Sequence, residues 1–198
     1  MLSTMYAPLM KPSAGCYVAP SNLPAASQVS NLSLDIIDPR LGPSTRYVRL
    51  AVPGSSVSTA MAPRPLLLGF HGQGDTGDFL ATTHSYESKA LAAGFVIAHP
   101  FGIDTVQDPG KDTGWNCGTA GDDSTCLPGT TNNSTHSSCA RLGRDGRCNW
   151  STCYDDLAFV RQLLKVLEDK FCLDRSRYAV FGRALSPPLP HTLAPPLF

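Results

Sequence analysis

The sequence predicts an α/β chain, an open sheet made of an N-terminal hairpin and three parallel strands with crossover helices, interrupted by a disulfide-rich insertion. Three observations predict it. Two segments before Pro53 alternate apolar and polar residues, three later segments are apolar without alternation, and most of the cysteines crowd between Cys117 and Cys153. Alternation marks a strand wetted on one face, whereas an uninterrupted apolar run of strand length marks one covered on both.

Taken in order, Leu32, Leu34 and Ile36 alternate with Ser33 and Asp35, the period of a half-buried strand. Asp38-Pro39-Arg40-Leu41-Gly42-Pro43 has the chemistry of a turn, and Val48, Leu50 and Val52 alternate with Arg49 and Ala51 to complete a hairpin that Pro53 ends. Pro65–Phe70 is a continuous apolar run that stops at the two-glycine loop His71-Gly72-Gln73-Gly74-Asp75. A helix is expected from about Asp78 to Ala93, with Gly94 as its stop, and then a second buried strand, Phe95–Ala98, closed by His99-Pro100. Strand, helix, strand implies a right-handed crossover.

The insertion from Phe101 to about Ser151 shows no period. After it, Leu157, Val160, Leu164, Leu167 and Phe171 recur at steps of three and four and predict one apolar helical stripe. Ser151 or Thr152 can cap that helix, and Asp155 and Asp156 fall in its first turn, where the helix dipole favours negative charge. Burying five such side chains contributes about 7–15 kcal/mol as an upper bound, before chain entropy is counted. Arg177–Phe181 reads as a third parallel strand ending at Gly182. Beyond it, Pro187, Pro188, Pro190, Pro195 and Pro196 exclude helix and central strand. The expected organisation is a poorly ordered lead over 1–30, a domain over 31–182 with its Cys-rich insertion over 101–152, and a divergent tail over 183–198.

Charge and cysteine usage narrow the setting. Sixteen basic residues balance sixteen acidic ones without a basic stripe, which argues against nucleic acid as a partner. No apolar run is long enough for a membrane span. The cysteines, Cys16, Cys117, Cys126, Cys139, Cys148, Cys153 and Cys172, contain no C-x-x-C pair, so zinc-ribbon and thioredoxin readings fail. All seven are disulfide candidates, and the odd number leaves one thiol over. Sequons at Asn31, Asn132, Asn133 and Asn149 are glycosylation candidates. Cysteines and sequons together point to a secretory, extracellular route. Met1 to Gly15 holds Pro8, Lys11 and Pro12 and no apolar core of signal-peptide length, so the expectation is a start further upstream.

Pro65–Gly74 (PLLLGFHGQG), Gly114-Trp115-Asn116 and Tyr154–Gly182 (YDDLAFVRQLLKVLEDKFCLDRSRYAVFG) resemble the extracellular esterases of the polyhydroxybutyrate-depolymerase and feruloyl-esterase type, over roughly Asn31 to Gly182. The resemblance implies an incomplete α/β-hydrolase sheet, a Ser-His-Asp mechanism in the complete enzyme, no cofactor and no metal, and an ester-bearing polysaccharide or polyester as substrate. It assigns part of the oxyanion hole to His71, Gly72 and Gln73, since a tetrahedral intermediate needs fixed amide donors. Trp115 could line an aromatic acyl pocket or pack the core of its loop.

The family's elbow, G-x-S-x-G, should follow Gly182 directly. Here Arg183-Ala184-Leu185-Ser186-Pro187-Pro188 follows, so Ala184 occupies the nucleophile position. Ser186 comes two residues late and is followed by two prolines. His191 is the one histidine after it, with no Asp or Glu. The expectation is a chain cut short before its nucleophile by a frame shift or alternative exon, and inactive as it stands. The competing reading is a non-catalytic secreted polysaccharide-binding module. His99 is expected to be a packed histidine, and Asp155 and Asp156 to be helix-terminal charge and not a catalytic pair.

Overall fold

In the computed structural model, residues 10–17, 27–54, 62–83, 85–103, 113–116, 137–142 and 152–182 are described. Cys117, Cys126 and Cys148, the sequons at Asn132, Asn133 and Asn149, and Ala184, Ser186 and His191 lie outside these residues.

The alternating segments build the hairpin. β1 (Gln28–Asp38) and β2 (Gly42–Val52) pair antiparallel from Gln28↔Val52 to Asp38↔Gly42. Asp38 makes the turn, its Oδ1 accepting the N–H groups of Arg40 and Leu41 at 2.9 Å each. Gly42, at φ 82°, closes it in a conformation that disfavours a side chain. Two apolar runs form the buried strands β3 (Arg64–Phe70) and β4 (Val96–Pro100), and the third expected strand lies within β5 (Leu173–Gly182), which is partly exposed along its length. The strand order is β1-β2-β4-β3-β5, with β2 antiparallel to β4 and β3 parallel to both β4 and β5. That mixed open sheet, with helices on its faces, is of the α/β class that the sequence predicts.

The helix expected over 78–93 is two helices, α1 (Gly77–Thr83) and α2 (Tyr86–Ala92), separated by Ser85 at φ 54°. The hydroxyls of Thr82 and Thr83 donate back to the carbonyls of Asp78 (2.9 Å) and Phe79 (2.6 Å). Such side-chain bonds compete with helix continuation. Gly94, at φ 81°, ends the pair as expected.

After α3 (Ser137–Arg141), the long helix α4 (Asp156–Lys170) buries Phe159, Val160, Leu163, Leu164 and Leu167. The expected stripe is therefore rotated: Leu157 and Phe171 sit at its margin, and Phe159 and Leu163 replace them at its centre. Its cap is neither Ser151 nor Thr152 but Asp155, whose carboxylate accepts the Ala158 N–H at 2.9 Å. The stripe packs on Leu66, Leu68, Phe70, Val96 and Ala98 in the main core. On the other face α2 contributes Ala90 to a smaller cluster with Ala51 and Ile97.

Part of the lead is tied down. Ser13 N–H donates to Leu173 O (2.8 Å), Arg175 N–H donates to Lys11 O (2.8 Å), and a disulfide joins Cys16 to Cys172 across 156 positions. Gly15 lies so close to the Phe171 backbone that a Cβ would collide with it. A second disulfide, Cys139–Cys153, anchors α3 beside the start of α4.

Candidate active site

The candidate site is the turn at the carboxyl end of β3, beside the last residue of β5. β3 passes through Gly69, where a Cβ would meet His99 Nδ1 at 2.6 Å and the Phe181 ring at 2.7 Å. The absence of a side chain there lets β4 and β5 close in on β3. Phe70 then pairs in register with Gly182, so the turn after β3 and the end of β5 emerge side by side. In a sheet that places the two backbones about 5 Å apart.

His71, Gly72 and Gln73 form that turn. His71 and Gly72 are buried and Gln73 is half-buried. His71 acts through its ring: Nε2 accepts the Gly102 N–H at 2.8 Å, which leaves Nδ1 to donate to Gly72 O at 2.7 Å. Burial lowers its pKa to about 4, so the ring is neutral and this tautomer persists at ordinary pH. Asp75 N–H donates to Gly72 O (3.1 Å), and Gly74, at φ 74°, donates to Thr113 O (2.7 Å). Among the described residues the Gly72 N–H is spent on no hydrogen bond. A fixed amide of that kind is chemically suited to a developing negative charge.

A second layer holds the turn from beneath. Trp115 is 1% exposed, and its indole N–H donates to His71 O at 2.9 Å while its ring meets Phe70 edge-on at 5.1 Å. Of the two roles open to Trp115 in the sequence, this structure has it packing the core. Thr113 Oγ1 donates to Asp75 O at 2.6 Å. The segment carrying these residues is fixed through Asn116, whose N–H donates to Asp156 Oδ2 at 2.6 Å. The other oxygen of Asp156 pairs with Arg46 Nη2 at 2.6 Å, both side chains being 1% exposed. Burial pushes the Asp156 carboxyl above its ordinary range, against the pull of Arg46 and of the Asn116 N–H. Arg46 also donates to Phe101 O (3.3 Å) and lies 4.1 Å over the Phe159 ring.

Asp155 and Asp156 are thus not a carboxylate pair at the site. One caps α4 and the other is half of a buried ion pair. His99 is fully buried at the end of β4, 6.1 Å from the Phe181 ring, and burial lowers its pKa to about 4. Among the described residues no cluster of His, Cys, Asp or Glu is arranged to hold a metal, and no helix is long and apolar enough to cross a membrane. The structure brings together His71, Gly72, Gln73 and Trp115; the described cysteines are paired in disulfides, and Ala184 is outside the described residues. Sequence reading missed Arg46, Thr113 and Asp156 as supports. Arg46 carried a signal, a charge in the inward register of a strand shared with Val48, Leu50 and Val52.

No protein-family model matches the chain, and no curated protein matches it. Solved structures do. A ferulic acid esterase is 18% identical, with a TM-score of 0.46 over 79% of this chain and 50% of its own. An S-formylglutathione hydrolase from Agrobacterium tumefaciens is 16% identical, at 0.45 over 79% of this chain and 50% of its own. An acetyl xylan esterase from Aspergillus awamori is 14% identical, at 0.43 over 77% of this chain and 42% of its own. The chain spans about half the length of these solved structures.

Proposed function

We propose that this chain forms the oxyanion side of a serine carboxylic-ester hydrolase of the extracellular feruloyl-esterase or polyhydroxybutyrate-depolymerase type. Its substrate class would be an ester-bearing polysaccharide or polyester. The reading is supported chiefly by one observation, the register Phe70↔Gly182. It brings the His71–Gln73 amides beside the point where an elbow serine of such a fold would present its hydroxyl. In that arrangement the serine oxygen attacks the ester carbonyl carbon, and the carbonyl oxygen, now negatively charged, is received by amides of the turn. Fixed amides need no reorganisation when charge develops, and the neutral His71 ring and the Trp115 indole N–H keep them fixed. The two disulfides among the described residues suit an oxidising, extracellular setting.

As it stands the chain has Ala184 where the nucleophile belongs, and we propose that it is inactive for that reason. Loss of the serine from such a triad costs about 10⁶-fold in turnover. The test uses 4-nitrophenyl acetate and a fluorophosphonate probe. The chain itself should neither hydrolyse the ester above background nor become labelled. A version continued past Gly182 with a serine elbow, an acid and a histidine should do both, and should lose both when that serine becomes alanine. Turnover by the present chain, or a folded continued chain that stays inert, would refute the proposal.

A further inference from the structure

The outermost strand of the sheet carries a feature unrelated to ester chemistry. β1 has β2 on one side, and among the described residues no strand on the other. Gln28 to Asn31 are exposed at every position, so neither face of that stretch is covered. Further along, one face stays open: Ser33, Asp35 and Ile37 are exposed while Leu34, Ile36 and Asp38 are buried. The cross-strand pair Asn31↔Arg49 marks where cover stops. Arg49 is held by Glu87 and Asp78 of the two short helices, and β1 lies one strand further out.

Asn31, Leu32 and Ser33 form a sequon on this open strand. Residues two apart on a strand share a face, so the Asn31 amide and the Ser33 hydroxyl stand together on the solvent side. The same face exposes apolar surface on both flanks, with Val29 45% and Ile37 81% exposed, and Tyr47 41% exposed opposite Ser33. A long edge strand with unpaired backbone groups and exposed apolar side chains is a template for pairing with a second chain. The described disulfides belong to the same oxidising route in which asparagine is glycosylated.

From this placement we infer that Asn31 is an N-glycosylation site whose glycan shields the β1 edge from a second copy of the chain. In the modification, Asn31 Nδ2 bonds to the anomeric carbon of a glycosyl donor carried on a lipid diphosphate. The carbon–oxygen bond to the diphosphate breaks, and the amide gives up one proton to a base. No electron transfer is involved. The attached sugar projects from the uncovered face between Val29 and Ile37, where its bulk and hydration oppose edge-to-edge pairing.

The test expresses the full chain behind a secretion signal in a eukaryotic host and maps glycan sites after enzymatic release in heavy-oxygen water. Asn31 should be recovered as aspartate carrying the heavy oxygen. Asn31→Gln and Ser33→Ala should each lose the mass of one glycan. By light scattering, Asn31→Gln should self-associate at concentrations where the glycosylated chain is monomeric. Translation into microsomal vesicles reads occupancy even if the chain is not exported. Unmodified Asn31 in both systems overturns the site, and equal self-association of the glycosylated chain and Asn31→Gln overturns the shielding. Neither result bears on the ester-hydrolase reading.

Discussion

Arg46 and Asp156 meet at the joint of β2, α4 and the segment that carries Trp115, each 1% exposed. Removing one partner of a buried pair strands the other charge, whereas replacing both with apolar groups does not. Asp156→Ala should therefore lower unfolding free energy by about 3–5 kcal/mol, and the double variant Arg46→Met, Asp156→Leu should recover most of that loss in urea denaturation. A double variant as unstable as the single one would contradict the argument. His71 and His99 add a pH dependence. Burial lowers both to about 4, so between about pH 6.5 and 4 the unfolded chain binds protons that the folded one refuses. Stability should be full above pH 6.5 and fall as pH drops through that window, by on the order of 3 kcal/mol per histidine. His99→Phe should make the fall shallower; an unchanged slope between pH 7 and 4.5 would exclude His99 as a contributor.

Among the described residues the longest helix is α4. Leu163 is fully buried against the sheet, and Leu163→Ala should cost about 2–5 kcal/mol, read from the denaturation midpoint at constant slope. The same face was half legible beforehand, because steps of three and four fit two adjacent stripes on a helix rich in apolar residues. Which stripe faces inward depends on what lies opposite, and that is set by Leu66, Leu68 and Phe70. The segment over residues 10–17 draws its order from elsewhere. Cys16–Cys172 closes a loop of 156 positions, and Cys16→Ser should cost about 2–5 kcal/mol and speed amide exchange at Ser13 and Arg175. Unchanged exchange there would mean that hydrogen bonds alone hold the segment.

At the scale of the molecule, the sheet has two edges and treats them differently. On the outer side of β5, Lys11–Ser13 pair with Leu173–Arg175, and among the described residues no further neighbour follows towards Gly182. Open parallel strands of this kind invite self-association, which charge on the edge suppresses. Ala179 is exposed on β5, so Ala179→Lys should raise the concentration at which light scattering detects oligomers while leaving the denaturation midpoint unchanged. Oligomers forming at the same concentration would place the contact elsewhere.

Sequence alone determined most of the elements and their kinds, though not the break at Ser85 or the short helix α3. Alternation, apolar runs and glycine stops depend on residues within a few positions of one another, and these identified the hairpin, the three parallel strands and the turn at His71–Gln73. Only the tertiary structure decided how those pieces support one another. Asp156 is helix-terminal charge, as its position implies, but its second role in holding Arg46 and Asn116 shows only in the fold, as does the bond from the Trp115 indole N–H to His71 O. Those partners lie 110, 40 and 44 positions apart, and no local pattern encodes a bond across that distance. Packing of the sheet brings them within reach.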